Sequence, residues 1–144
     1  MENIRIRELE VADADDIADI YASIVRKTVD ADFKPVIEKH ARSDNDICFV
    51  AELDGRVIGF MISYILTFGF GIEKSAWIAT LGVDPEYMVQ GLGDRLAQEI
   101  FKLYKQMGIS RVYTSVRWDS TDLLSFFKTQ GFDRSKFINL KKDL

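Results

Sequence analysis

The stretch Val83-Asp84-Pro85-Glu86-Tyr87-Met88-Val89-Gln90-Gly91-Leu92-Gly93 decides how this chain reads. Upstream of it, Ser75 to Val83 is apolar and strand-like, and Pro85 ends that strand because proline cannot donate to a ladder. Downstream, Leu92, Leu96, Ile100, Leu103 and Met107 recur at steps of four, four, three and four, the spacing of one helix face. Gly91 and Gly93 therefore open an amphipathic helix, where a glycine costs about 1 kcal/mol relative to alanine. Bare N–H groups at a helix N-terminus, backed by the macrodipole, receive an anion such as a pyrophosphate. A tight turn or close helix–sheet packing is the better account of a lone Gly-x-Gly. The strand, the proline-broken loop and the long helix around this one favour the anion site. No Lys-Ser/Thr follows the glycines, so the segment is not a P-loop, and Leu96 holds the place of the third glycine of a dinucleotide fingerprint.

Outward from this segment the other elements follow from periodicity. Ile4, Ile6 and Leu9 alternate with charges as a first strand, and Asp13 reads as the N-cap of a helix carrying Ile17, Ile20, Tyr21 and Ile24. Asp32 caps a shorter helix with Phe33, Val36, Ile37 and His40. Ile47–Leu53 and Val57–Leu66 are strands joined by the hairpin signal Asp54-Gly55, and residues 67–74 form a loop before the strand Ser75–Val83. Gly108 stops the long helix, and Arg111–Val116 is a strand. Ser120 or Thr121 caps a last helix with Leu123, Leu124, Phe126 and Phe127, which Gly131 closes before a final strand over Phe132–Leu140. The order β-α-α-β-β-β-α-β-α-β describes an α/β (α+β) chain. With 144 residues, no repeat and no linker, it reads as one domain over 1–144.

Composition narrows the function. Nineteen basic and 23 acidic residues give a net charge of −4, with no Lys/Arg cluster, which argues against a nucleic-acid partner and suits a cationic substrate. The longest nearly uncharged run, residues 57–72, is too short to span a bilayer, and the charged residues 1–10 do not form a signal peptide, so a cytoplasmic protein without a membrane partner is expected. The single Cys48 forms no intrachain disulfide and reads as a buried small hydrophobe. The one histidine, His40, suits a helix end better than catalysis, and no metal site is expected.

The chain resembles the GNAT superfamily of acyl-CoA-dependent N-acetyltransferases. Val83-Asp84-Pro85 with Gly91-Leu92-Gly93 is similar to its acyl-CoA segment. Val116-Arg117-Trp118-Asp119-Ser120 through Phe126-Phe127-Lys128-Thr129-Gln130-Gly131-Phe132 is similar to its following strand, turn and helix. The resemblance implies a single GNAT-like domain around a mixed, mostly antiparallel sheet flanked by helices. It implies acetyl-CoA as cosubstrate and a primary amine as acceptor: a protein N-terminus, a lysine or a small amine. Leu81, Gly82 and Val83 would bond the pantetheine arm through the backbone of a splayed strand end. Val89, Gln90, Gly91, Leu92, Gly93 and Asp94 would cradle the pyrophosphate. Ser120 takes the place of a cofactor-touching asparagine, and Phe126 and Phe127 would flank the thioester. Met88 replaces the family's usual Arg or Gln, Val89 a common glycine, and Phe127 a tyrosine acid. Trp77 and Ser115 stand where some members carry a glutamate base.

An amine attacking a thioester must be deprotonated, the carbonyl polarised and the thiolate stabilised. Glu73, before the central strand, is the first candidate base; Asp119 and Tyr113 follow. Each has a bland reading as well: a solvated loop carboxylate for Glu73, a turn or cap residue for Asp119, a packed strand ring for Tyr113. Tyr64, Phe68 and Phe70 flank the loop and would line the acceptor pocket, pack, or meet a second copy in a homodimer. The missing acid, base and asparagine keep open a non-catalytic acyl-CoA-binding regulatory module.

Overall fold

Ile4 and Ile6 alternate with arginines, and this half-buried pattern forms β1 (Ile4–Glu8), which pairs antiparallel with β2 (Asp46–Leu53). The computed structural model describes residues 3–25, 33–67 and 69–144; the expected cap Asp32 and the loop residue Phe68 lie outside them. β2 turns into β3 (Arg56–Leu66) through Asp54 and Gly55, with φ of 51° and 83°. Two successive left-handed residues make the type I′ geometry that the sequence signal calls for. β3 pairs antiparallel with β4 (Ser75–Val83), and β5 (Val112–Thr114) completes the order β1-β2-β3-β4-β5. β4 and β5 are joined through a helix.

Among the described residues four α-helices accompany the sheet: α1 (Ala14–Val25), α2 (Phe33–Arg42), α3 (Leu92–Gln106) and α4 (Thr121–Thr129). The chain gathers into two compact units, residues 1–113 and 114–144. In the first, Ile17 and Ile20 of α1 and Ile37 of α2 cluster with Cys48, Val50, Phe60 and Ile62 of the sheet. Leu92, Leu96, Ala97, Ile100 and Tyr104 are the buried side of α3. The Tyr104 hydroxyl donates to Ser63 Oγ at 2.5 Å, and the Ser63 hydroxyl donates to the Ile47 carbonyl at 2.6 Å, which satisfies both buried groups. Burial pushes the Tyr104 phenol and the Cys48 thiol up to about 12, so the one cysteine is a core residue without thiolate character.

Two expectations change. Asp13 does not cap α1: it ends a 3-10 turn (Val11–Asp13) whose cap position is Glu10, and its carboxylate accepts from the Glu10 N–H at 2.8 Å. Arg7 claims the same carboxylate through Nη1 and Nη2, both at 2.8 Å, and reaches Glu52 through Nε at 2.9 Å. The final strand expected over Phe132–Leu140 is not formed; after Gly131 the chain takes no regular secondary structure. Local bonds take its place there: Ser135 Oγ accepts from the Phe137 N–H at 3.1 Å and Asp133 from the Arg134 N–H at 2.8 Å. β5 is also shorter than the expected 111–116.

The β3–β4 register slips between Ile62 and Ser63, opposite Thr80 and Ile78, so Ala79 is an extra, exposed residue in β4. Such a bulge bends the strand and re-aims the residues beyond it. Past the bulge, Gly82 sits so close to its neighbours that a Cβ would meet the Phe60 ring at 2.8 Å and Ile24 Cδ1 at 2.9 Å. Gly82→Ala is therefore expected to lower stability by about 1–3 kcal/mol through overpacking, read as a lower urea midpoint at unchanged slope.

Candidate active site

The segment from Leu81 to Asp94 is a strand end, a two-turn 3-10 connector and a helix start. Asp84 fixes the connector. Its carboxylate accepts from the Glu86 N–H at 3.0 Å and from Arg56 Nη2 at 2.8 Å, and its own N–H donates to the Ile58 carbonyl at 2.8 Å. Asp84 is buried, and the 3-10 turn Pro85–Gln90 begins on it with the proline at the first position, where the missing N–H costs nothing. Arg56 belongs to no local motif and is a positioning residue that sequence spacing alone does not single out.

The turn ends at Gly91, whose φ of 74° lies in the left-handed region, and α3 starts on the next residue. A Cβ at Gly91 would meet nothing within 4 Å. The glycine thus serves a backbone conformation and leaves open space at the helix start, where first-turn amides lack intrahelical partners. Close helix–sheet packing is not its reason here. Glu86 and Asp94 stand in the first turns and set a negative charge nearby. Leu81 is half-buried and Val83 buried on the strand leading in, and Met88 is exposed. The side chains of Val89 and Gln90 are outside the described residues.

The groups expected to act as acid or base are exposed or engaged with neighbours. Glu73 is exposed, in the turn before β4. It stands eight residues ahead of Leu81, about 26 Å along an extended strand. Between them on the sheet, Trp77 stacks on Tyr113 at 4.7 Å and lies 6.4 Å from Tyr64, and its indole N–H donates to Ser75 Oγ at 3.0 Å. Tyr113 is thus a packed ring. Phe70 is 99% exposed, in the turn bridged by Gly69 and Ile72, so it lines no pocket in this chain. His40 ends α2 with Nδ1 2.6 Å from Asp46 of β2, a structural pairing.

In residues 114–144, both oxygens of Asp119 accept from Arg117, from Nε and Nη2 at 2.9 Å each. These bonds and the guanidinium charge hold the Asp119 carboxyl below the usual range. Ser120 occupies the cap position of α4, but its side chain makes no capping bond, which corrects the expected cap. Phe126 is half-buried and Phe127 buried; the Phe127 ring packs edge-on against Phe126 at 5.2 Å and Phe132 at 5.0 Å.

Among the described residues, no group of three or more His, Cys, Asp or Glu could hold a metal ion, and no helix is long and apolar enough to cross a membrane.

Comparison with known proteins gives a consistent picture. The profile of the acetyltransferase (GNAT) family matches residues 14–132. An N-alpha-acetyltransferase of Sulfurisphaera tokodaii is 26% identical over 142 residues, covering 93% of this chain and 83% of the relative. An aminoglycoside acetyltransferase, meta-AAC0020, from an uncultured soil metagenomic sample, solved with sisomicin, superposes with a TM-score of 0.83 at 20% identity, over 99% of this chain and 97% of that one. AAC(6')-Iy, solved with the bisubstrate analog CoA-S-monomethyl-acetylneamine, superposes with a TM-score of 0.81 at 15% identity, over 98% of each chain.

Proposed function

Because the chain belongs to the acetyltransferase (GNAT) family, we propose that it transfers the acetyl group of acetyl-CoA to a primary amine, and that this amine is the α-amino group of a peptide. The observation that carries the reading is the connector at 84–94. Asp84, held by Arg56 and the Glu86 N–H, delivers Gly91 in a left-handed conformation to the start of α3 with open space beside it. The family profile runs through both compact units, which supports treating 1–144 as one acyltransferase domain. The CoA analog bound by AAC(6')-Iy supports the cosubstrate, and the name of the Sulfurisphaera relative supports the acceptor. A buried lone thiol accords with a cytoplasmic setting.

Acetyl-CoA supplies the activated acyl group; this chain supplies placement. We assign the backbone of Leu81–Val83 to the pantetheine arm and that of residues 89–94 to the pyrophosphate. Ser120, with its hydroxyl uncommitted to capping, and Phe126 and Phe127 belong to the thioester end. Positioning accounts for a large share of such a rate. A base must come within hydrogen-bond reach of the amine. Glu73 is exposed in the turn before β4, and Asp119 is held as a weak proton acceptor by Arg117. We therefore assign the amine proton to water. Glu73→Gln should change turnover by less than about 10-fold, against the 10²-fold or more lost with a true base.

Phe127 in place of an acid favours a second reading, a regulatory acyl-CoA binder. Turnover with a panel of acceptors separates the two: a peptide with a free α-amine, the same peptide blocked at its N-terminus but bearing lysine, and spermidine. Acetylation of the first alone is expected. Acetyl-CoA binding without product from any of the three overturns the enzyme reading, and preference for spermidine or the blocked peptide overturns the acceptor.

A further inference from the structure

Three aromatic rings stand in a row across neighbouring strands, and the acetyl-transfer steps assigned so far do not use them. Tyr64 of β3 lies opposite Trp77 of β4, and Tyr113 of β5 follows. The Trp77 ring is 6.4 Å from Tyr64 and 4.7 Å from Tyr113, with interplanar angles of 11° and 24°. All three rings belong to residues 1–113, as do the strand end Leu81–Val83 and the start of α3. The row continues a covered side of the sheet. Ile62, two residues before Tyr64 and so on the same side of β3, is buried in the cluster formed with α1 and α2. Tyr64 is 39% exposed, and Trp77 and Tyr113 are half-buried. The cover thus ends between Ile62 and Tyr64.

Two observations say what such a row receives. First, the polar handle of its middle ring is spent. The Trp77 indole N–H donates to the buried Ser75 Oγ at 3.0 Å, so Trp77 presents carbon and π surface, which suits an apolar or aromatic side chain. Second, the row lies on the strand whose end we assign to the cofactor arm. Phe60, Ile62 and Tyr64 of β3 pair with Gly82, Thr80 and Trp77, so the extra residue Ala79 leaves Trp77 and Gly82 on one side of the sheet. Trp77 is four residues before Leu81, about 13 Å along β4. A peptide advances about 3.3–3.6 Å per residue. With its α-amine beside that strand end, a peptide reaches the row with a long side chain from its first three residues.

We propose that Tyr64, Trp77 and Tyr113 form the acceptor's side-chain subsite, and that it takes a large apolar or aromatic residue among the first three of the peptide. The proposal rests on the acetyl-transfer reading above and names the class of peptide it selects. The test compares kcat/KM for peptides with a free α-amine: one built of Ser and Gly alone, and three carrying a single Phe at the first, second or third position. The variants are Tyr64→Thr, at an exposed position where threonine suits a strand, and Trp77→Val, each checked for folding by circular dichroism. In the wild type, at least one Phe peptide is expected to exceed the Ser/Gly peptide by about 10-fold or more, mainly through KM. In each folded variant that ratio is expected to fall below about 3-fold. A role in packing alone would slow all the peptides in proportion and keep the ratio. A ratio that stays above about 3-fold in either folded variant therefore overturns the proposal. A wild-type ratio below about 10-fold at all three positions overturns it too, and leaves acetyl transfer to peptides standing. Acetylation of none of the peptides overturns the acceptor reading itself, and the subsite with it.

Discussion

Gly93→Glu is expected to weaken acetyl-CoA binding by at least about 100-fold while leaving the chain folded. Gly93 lies within the first turn of α3 and, unlike Gly91, is not among the residues with positive φ. Its backbone is ordinary helix, where glutamate exceeds glycine in propensity by about 0.5–1 kcal/mol. A carboxylate in the first turn also suits the helix dipole. The same carboxylate would stand where the pyrophosphate meets the helix start, beside Asp94. Calorimetry with acetyl-CoA and a melting curve on the same sample give both readouts. Gly91→Val is a poorer test. A β-branched residue is badly strained at a φ of 74°, so lost binding and lost folding would be confounded.

The second large effect concerns stability. Asp13→Asn should cost about 3 kcal/mol at neutral pH, because it removes the carboxylate charge from the Arg7 guanidinium, which keeps Glu52 and the Glu8 carbonyl, in a site where the Arg7 side chain is 14% and the Asp13 side chain 7% exposed. Burial on its own would raise the Asp13 carboxyl; the Arg7 bonds, the Glu10 N–H and the guanidinium charge outweigh it and hold it below its usual value. A depressed carboxyl stabilises the fold above its unfolded pKa, near 3.9, and loses that contribution as pH falls through the folded value. Urea titrations at pH 7 and pH 3 should therefore show a large gap between wild type and Asp13→Asn at the first and a much smaller one at the second.

What the sequence discloses is what is decided locally. The Asp54-Gly55 hairpin, the spacing of Leu92, Leu96 and Ile100, and the proline-to-glycine connector all depend on neighbours within a few residues, and each appears as read. What escapes the sequence is set by partners far along the chain. Asp13 has the chemistry of a cap, but Arg7 and the cross-strand Glu52 determine where its carboxylate goes. Arg56 reaches Asp84 across 28 positions, and the close approach of Phe60 and Ile24 that demands Gly82 comes from another strand and a helix. Residues 132–140 look like a strand because their apolar residues suit one, yet a strand also needs a ladder partner, and Ser135 and Asp133 offer the backbone nearer bonds. The glycine-marked start of α3 is legible in the sequence. The tie between Asp119 and Arg117 and the exposure of Glu73 before β4 are not.

The measurement that bears most directly on the central claim is release of free CoA thiol from acetyl-CoA by the purified chain, with and without a peptide bearing a free α-amine. Release that depends on the peptide, saturates with it and disappears in Gly93→Glu is the predicted result. Release that is absent, or that proceeds at the same rate without any amine, would contradict the assignment of this chain as an amine acetyltransferase.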